Sequence, residues 1–157
     1  MQITISGDHR GHAAVDSVVD HLKTQGHDVV VQGACDGAAC DYPVRSLAVA
    51  QDVAEGRSEL GILICGSGIG VSIAANKVNG VRAALVVDAA HARGAREHNH
   101  ANVLCFSADR TPVDVMCESV GAWMNAQPQP DRHARRVEQM AEIERGASPQ
   151  DQASSPA

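Results

Sequence analysis

The stretch Gly61-Ile62-Leu63-Ile64-Cys65-Gly66-Ser67-Gly68-Ile69-Gly70 decides how this chain is read. Its first half is an unbroken apolar run, as expected of a strand buried on both faces. Its second half carries glycine at alternate positions and predicts a tight turn into a helix that reaches about Asn76. A strand buried on both faces needs helices above and below it.

The flanking sequence repeats that alternation. Upstream, Ile3 to Ser6 reads as a strand, Gly11 to Thr24 as a helix with Val15, Val18, Val19 and Leu22 on one stripe, and Val29 to Val31 as a second strand. Gly33 to Asp41 is a loop, and Pro43 opens a helix to about Glu55. Downstream, Val81 to Val87 is a strand, Asp88 caps a helix ending near His98, and Asn102 to Phe106 is a fifth strand. Pro112 opens a helix to about Ala126, Gln127 to Pro130 is a linker, and Asp131 caps a last helix from Arg132 to Arg145. The expected fold is a three-layer α/β/α Rossmann-like arrangement around a five-stranded parallel sheet, with residues 1–145 as one domain. Residues 146–157, rich in Ser, Pro, Gln and Ala, read as a disordered tail.

Composition narrows the function. The chain has 157 residues, net charge −6 and only 2% aromatics. Acidic charge argues against nucleic acid, and so few aromatics leave no platform for stacking bases. No apolar run approaches a membrane span, and no leader precedes the first strand, so the expected setting is the cytoplasm. The five cysteines, Cys35, Cys40, Cys65, Cys105 and Cys117, form no C-x-x-C pair, and the chain is expected to be reduced.

In a parallel sheet, ligands bind beyond the carboxyl ends of the strands. Cys65 and the glycine turn lie there. Successive N–H groups at such a turn favour a phosphate or a developing oxyanion, and the same field favours a thiolate at Cys65. The same pattern is also that of a plain tight turn with a buried cysteine. Gly7-Asp8-His9-Arg10-Gly11 follows the first strand on the same edge; Asp8 alone would equally serve as a helix cap. Arg132 and Arg136 share a helix face, able to clamp a phosphate or to pair with Glu138, Glu142 or Glu144. His98-Asn99-His100 has no Cys or carboxylate at ligand spacing, so no metal is expected. It precedes a strand and so belongs at the amino edge, opposite Cys65. For His98 to take part in the same chemistry it must reach the site of another subunit.

Taken together and in order, these motifs resemble ribose-5-phosphate isomerase type B and its relatives, a sugar-phosphate isomerase family that also includes galactose-6-phosphate isomerase. The resemblance runs from about Met1 to Arg145. It rests on Gly7-Asp8-His9, Asp41-Tyr42-Pro43, the Gly61–Gly70 stretch, Ser72-Ile73-Ala74-Ala75-Asn76-Lys77, Gly80-Val81-Arg82-Ala83, His98-Asn99, Ala101-Asn102-Val103-Leu104, and Arg132 with Arg136. It implies a cofactor-free, metal-free aldose–ketose isomerase of the pentose phosphate pathway, acting on ribose 5-phosphate or on a six-carbon sugar phosphate such as that of allose or galactose. Cys65 matches the base and His98 the ring-opening proton donor. Ser67 and the N–H groups around Gly66, Gly68, Ile69 and Gly70 match the enediolate site. Asp8, His9, Tyr42, Asn99, Arg132 and Arg136 match sugar and phosphate positions. A homodimer or homotetramer with shared sites is implied.

Two departures stand out. His100 replaces a common Asp or Asn and brings a second imidazole close to His98 in sequence. The family's phosphate-contacting arginine, eleven residues after the histidine, falls here on Asp109; a one-residue insertion in Ser107-Ala108-Asp109 would restore Arg110 as the substrate-binding residue. Two other classes remain at this point. A non-catalytic metabolite-binding module predicts binding that survives loss of Cys65, and a cysteine hydrolase predicts a covalent intermediate.

Overall fold

The structure, a computed structural model, describes residues 1–33 and 38–150. Strands β1 (Gln2–Gly7), β2 (Asp28–Val31), β3 (Leu60–Cys65), β4 (Ala83–Leu85) and β5 (Val103–Ser107) form a five-stranded sheet in the order β2-β1-β3-β5-β4. Every pairing is parallel. The helices are α1 (His12–Thr24), α2 (Tyr42–Ala54), α3 (Ile69–Ala75), α4 (Ala89–Asn99), α5 (Val113–Asn125) and α6 (Arg132–Glu144).

Alternation along β3 divides the core in two. Leu60, Ile62 and Ile64 join Ile3, Ile5, Leu104 and Phe106 against α1, α4 and α5, where Val18, Leu22, Met116 and Trp123 are fully buried. Leu63, Cys65, Val103 and Cys105 face α2 and α3, packing on Val49, Ala50, Val71 and Ala75. Successive strand residues point to opposite faces, so a continuous apolar run fills both layers at once. The three-layer expectation holds. Among the described residues the fully buried aromatics are Trp123 and Phe106, both in the first of these layers.

Three local expectations are corrected. The fourth strand is confined to Ala83–Leu85, not Val81–Val87. It lies at the sheet's edge, and side-chain amides take over its pairing at one end. Asn102 Oδ1 accepts from Arg82 N–H at 2.7 Å, and Asn76 bonds both N–H and C=O of Ala83. Asp131 precedes α6 but does not cap it: at φ 58° its side chain makes no bond to the helix start. Cys40 is disulfide-bonded, so the expectation of a wholly reduced chain fails there; Cys65, Cys105 and Cys117 are free. Cys35 lies outside the described residues, as do residues 151–157 of the expected tail. The nearer part of that tail folds back, with Ala147 N–H bonded to Glu142 and the Gln139 amide donating to the Gln150 carbonyl.

Among the described residues no helix is long and apolar enough to cross a membrane, and no group of three His, Cys, Asp or Glu is placed to hold a metal ion.

Candidate active site

The sheet order sets the location. From β1 the chain crosses to β2 on one side, and from β3 it goes on to β4 and β5 on the other. The loops after β1 and β3 therefore diverge, which is where open α/β sheets bind ligands. The loop after β5 is the third wall.

Cys65, 4% exposed, ends β3. Gly66 to Gly68 fold over its sulfur, and Gly68 N–H donates to Cys65 Sγ at 3.1 Å. Gly68 holds φ 73°, a left-handed conformation. A Cβ there would lie 2.5 Å from Leu85 Cδ1 and 2.9 Å from the Phe106 carbonyl carbon, so both conformation and space require glycine. Ser67 Oγ is exposed and accepts from Ile69 N–H at 3.2 Å. The β5 end clamps the turn from the other side. Ser107 Oγ donates to Gly66 C=O at 2.7 Å, Ala108 N–H to Cys65 C=O at 2.8 Å, and Asp109 N–H to Gly66 C=O at 3.1 Å. On β5, burial foremost, with Cys65 beside it, pushes the Cys105 thiol well up, so Cys105 stays protonated.

The β1 loop is shaped by Asp8. Its Oδ1 accepts from Arg10 and Gly11 N–H at 2.9 and 3.0 Å, and its own N–H bonds Ile64 C=O. Asp8 is thus first a loop-former, tied to β3 beside Cys65. His9 is exposed. Tyr42, at the start of α2, lays its ring against Gly70, with ring atoms 2.6–3.0 Å from where a Cβ would sit. Asp8, His9, Tyr42, Cys65, Gly66, Ser67, Gly68, Ile69 and Gly70 therefore share the carboxyl edge.

His98, Asn99, Arg132 and Arg136 do not join them. His98 and Asn99 close α4 ahead of β5, at the amino edge, and α6 starts beside them through Gln129 N–H bonded to Glu97 C=O at 2.9 Å. The imidazole that meets His98 is not His100, whose Nε2 bonds the Gln129 carbonyl at 2.8 Å. It is His133, a residue the sequence reading passed over, stacked on His98 at 4.5 Å and 15°. His133 is buried, and burial first, then the charges of His98, Arg132 and Arg136, lowers its pKa. Its Nε2 accepts from Arg132 Nε at 3.3 Å, which requires a neutral ring.

Arg10 stands in the Gly7–Gly11 motif but was given no role by the sequence. Its Nε and Nη2 both bond Asp109 Oδ1, at 3.1 and 2.6 Å, and the pair lies over Gly66. Asp109, not Arg110, is the residue that reaches Gly66; Arg110 is exposed.

The sequence profile of the Ribose/Galactose Isomerase family matches residues 3–140. The chain belongs to that family. It is 38% identical over 143 residues to ribose-5-phosphate isomerase B of Escherichia coli (strain K12), covering 91% of this chain and 96% of the relative. Its fold matches the solved ribose-5-phosphate isomerase B of Clostridium thermocellum with a TM-score of 0.91 and 41% identity, over 93% of this chain and 99% of the other. The ribose-5-phosphate isomerase B of Mycoplasma genitalium, solved with bound ribulose-5-phosphate, matches at TM-score 0.88 and 40% identity, over 92% and 96%.

Proposed function

We propose that this chain is an aldose–ketose isomerase that interconverts ribose 5-phosphate and ribulose 5-phosphate, with Cys65 as the base. The observation that carries the reading is the Gly68 N–H to Cys65 Sγ contact at the sheet's switch point, in a member of this isomerase family. Thiolate Cys65 removes the proton on C2 of the open-chain aldose. The electron pair passes through the C1–C2 bond onto the carbonyl oxygen, where the exposed Ser67 and the turn's N–H groups meet the charge. The same thiol returns its proton to C1 as the hydroxyl proton on O2 passes to O1, leaving the C2 ketone.

Ring opening precedes this step. His98 is the proton donor for it, and Arg132, Arg136 and Asn99 grip the phosphate end. These groups lie at the opposite edge from Cys65, so the active unit is a homodimer, or a homotetramer built as a dimer of dimers, in which one subunit's His98 and arginines complete the other's Cys65 site. Exposed Val44, Leu47, Ile69 and Ile73 on α2 and α3 support a covered face. His133 orients the His98 ring through their stacking. A phosphorylated sugar does not cross a bilayer unaided, so the enzyme works in the cytoplasm, where its substrate is made.

The test is conversion of ribose 5-phosphate by purified protein with chelator present, beside Cys65→Ala. The variant is expected to lose at least ~10²-fold in kcat while melting normally. Near-normal turnover by the variant would defeat the assignment of the base. A covalent sugar adduct on Cys65 would favour a transferase or hydrolase instead.

A further inference from the structure

The mechanism above makes no use of Arg10, yet its guanidinium is held at the Cys65 edge by two bonds to Asp109. Two of its five N–H donors go to Asp109 Oδ1, and Nη1 makes no hydrogen bond among the described residues. The Asp109 backbone is itself anchored to Gly66 C=O, so the pair spans from the β1 loop to the β5 loop across the residue that follows Cys65. Arg10 lies close over Gly66: a Cβ there would come within 2.8 Å of Arg10 Nε. The side chains remain 57% and 44% exposed, so three guanidinium donors are open to a ligand arriving at the switch point.

Charge points the same way. Asp8 and Asp109 both flank this edge, and a sugar phosphate is an anion. Without Arg10 the approach would be lined by carboxylates. Guanidinium is also the side chain suited to a phosphate, because its planar fork meets two oxygens at once.

On the isomerase reading, we propose that Arg10 contacts the phosphate monoester of the substrate at the Cys65 edge, and that Asp109 is the positioning residue that holds it there. Arg10 then adds a phosphate contact from the same subunit as Cys65, complementing the arginines of α6.

The experiment compares wild type, Arg10→Gln, and Arg10→Gln/Asp109→Arg. The readouts are KM and kcat for ribose 5-phosphate and the inhibition constant of inorganic phosphate. An exposed ion pair carries little stability, so Arg10→Gln should melt like wild type. Its KM and the phosphate inhibition constant are expected to rise together by about 10- to 100-fold, the loss of a charge-assisted contact, with a smaller change in kcat. The double variant, which returns a guanidinium from the other loop, should recover most of that loss. A KM within about twofold of wild type, or a raised KM with an unchanged phosphate constant, would overturn the proposal. If wild type does not turn over ribose 5-phosphate, the isomerase reading fails on its own. Calorimetry with inorganic phosphate then decides Arg10: weaker binding by Arg10→Gln supports the contact, and equal or absent binding in both proteins refutes it.

Discussion

Gly68 carries more of this protein's chemistry than its lack of a side chain suggests. Its left-handed backbone swings one N–H onto Cys65 Sγ, and Leu85 and Phe106 occupy the space where a Cβ would stand. Gly68→Ala is therefore expected to cost about 2–4 kcal/mol, from the strained conformation together with overpacking. Thermal melting checks the cost, and turnover should fall with it because relaxation of the strained backbone moves the residue-68 N–H off the sulfur. Cys65→Ala makes the opposite case, with activity lost and stability nearly kept, and Arg10→Gln a third, with KM moved most. Those three signatures separate scaffold, base and binding group around a single turn.

The β1–α2–β2 corner is held by one buried carboxylate. Asp52 on α2 accepts from Thr4 Oγ1 of β1 at 3.0 Å, from the Gln32 amide just past β2, and from Arg57 Nε at 2.7 Å. Burial pushes its pKa up, but the bonds from Arg57, Gln32 and Thr4 outweigh that and hold it below the usual carboxylate range. A carboxylate with a lowered folded-state pKa stabilises the fold above its unfolded value, near pH 4, and that contribution fades as pH falls through the lower folded value. Wild type should thus lose melting temperature on acidification below about pH 4, and Asp52→Asn should lose less over the same range. At neutral pH, Asp52→Ala is expected to cost roughly 1–3 kcal/mol by leaving the Thr4 and Gln32 donors unpaired. Chemical denaturation at pH 7 and pH 3.5 measures both.

The separation of Cys65 and His98 onto opposite edges makes a prediction about the assembly. Cys65→Ala and His98→Ala, each nearly inactive alone, should regain activity when mixed, unfolded and refolded together. In a random mixture half the dimers are mixed, and each mixed dimer holds one intact site, so about a quarter of wild-type activity is expected. Activity no higher than the separate variants would mean that sites are not shared between subunits.

The layered fold was readable because its signals are local. A continuous apolar run, glycine turns and 3.6-residue stripes are properties of neighbouring residues, and they sufficed for the five strands, the six helices and the carboxyl edge that holds Cys65. Boundaries that depend on partners were not: β4 is short because it is an edge whose pairing the side chains of Asn76 and Asn102 partly replace, and no strand periodicity encodes a side-chain amide standing in for a strand. The motifs carried the family and singled out Cys65 as the proposed base, since spacing along the chain preserves them. Only the tertiary structure brought Arg10 to Asp109, 99 positions away, and set His133 rather than His100 against His98. Contacts of that kind follow from loop closure across a sheet and from the angle at which α6 docks on α4, and no local periodicity encodes either.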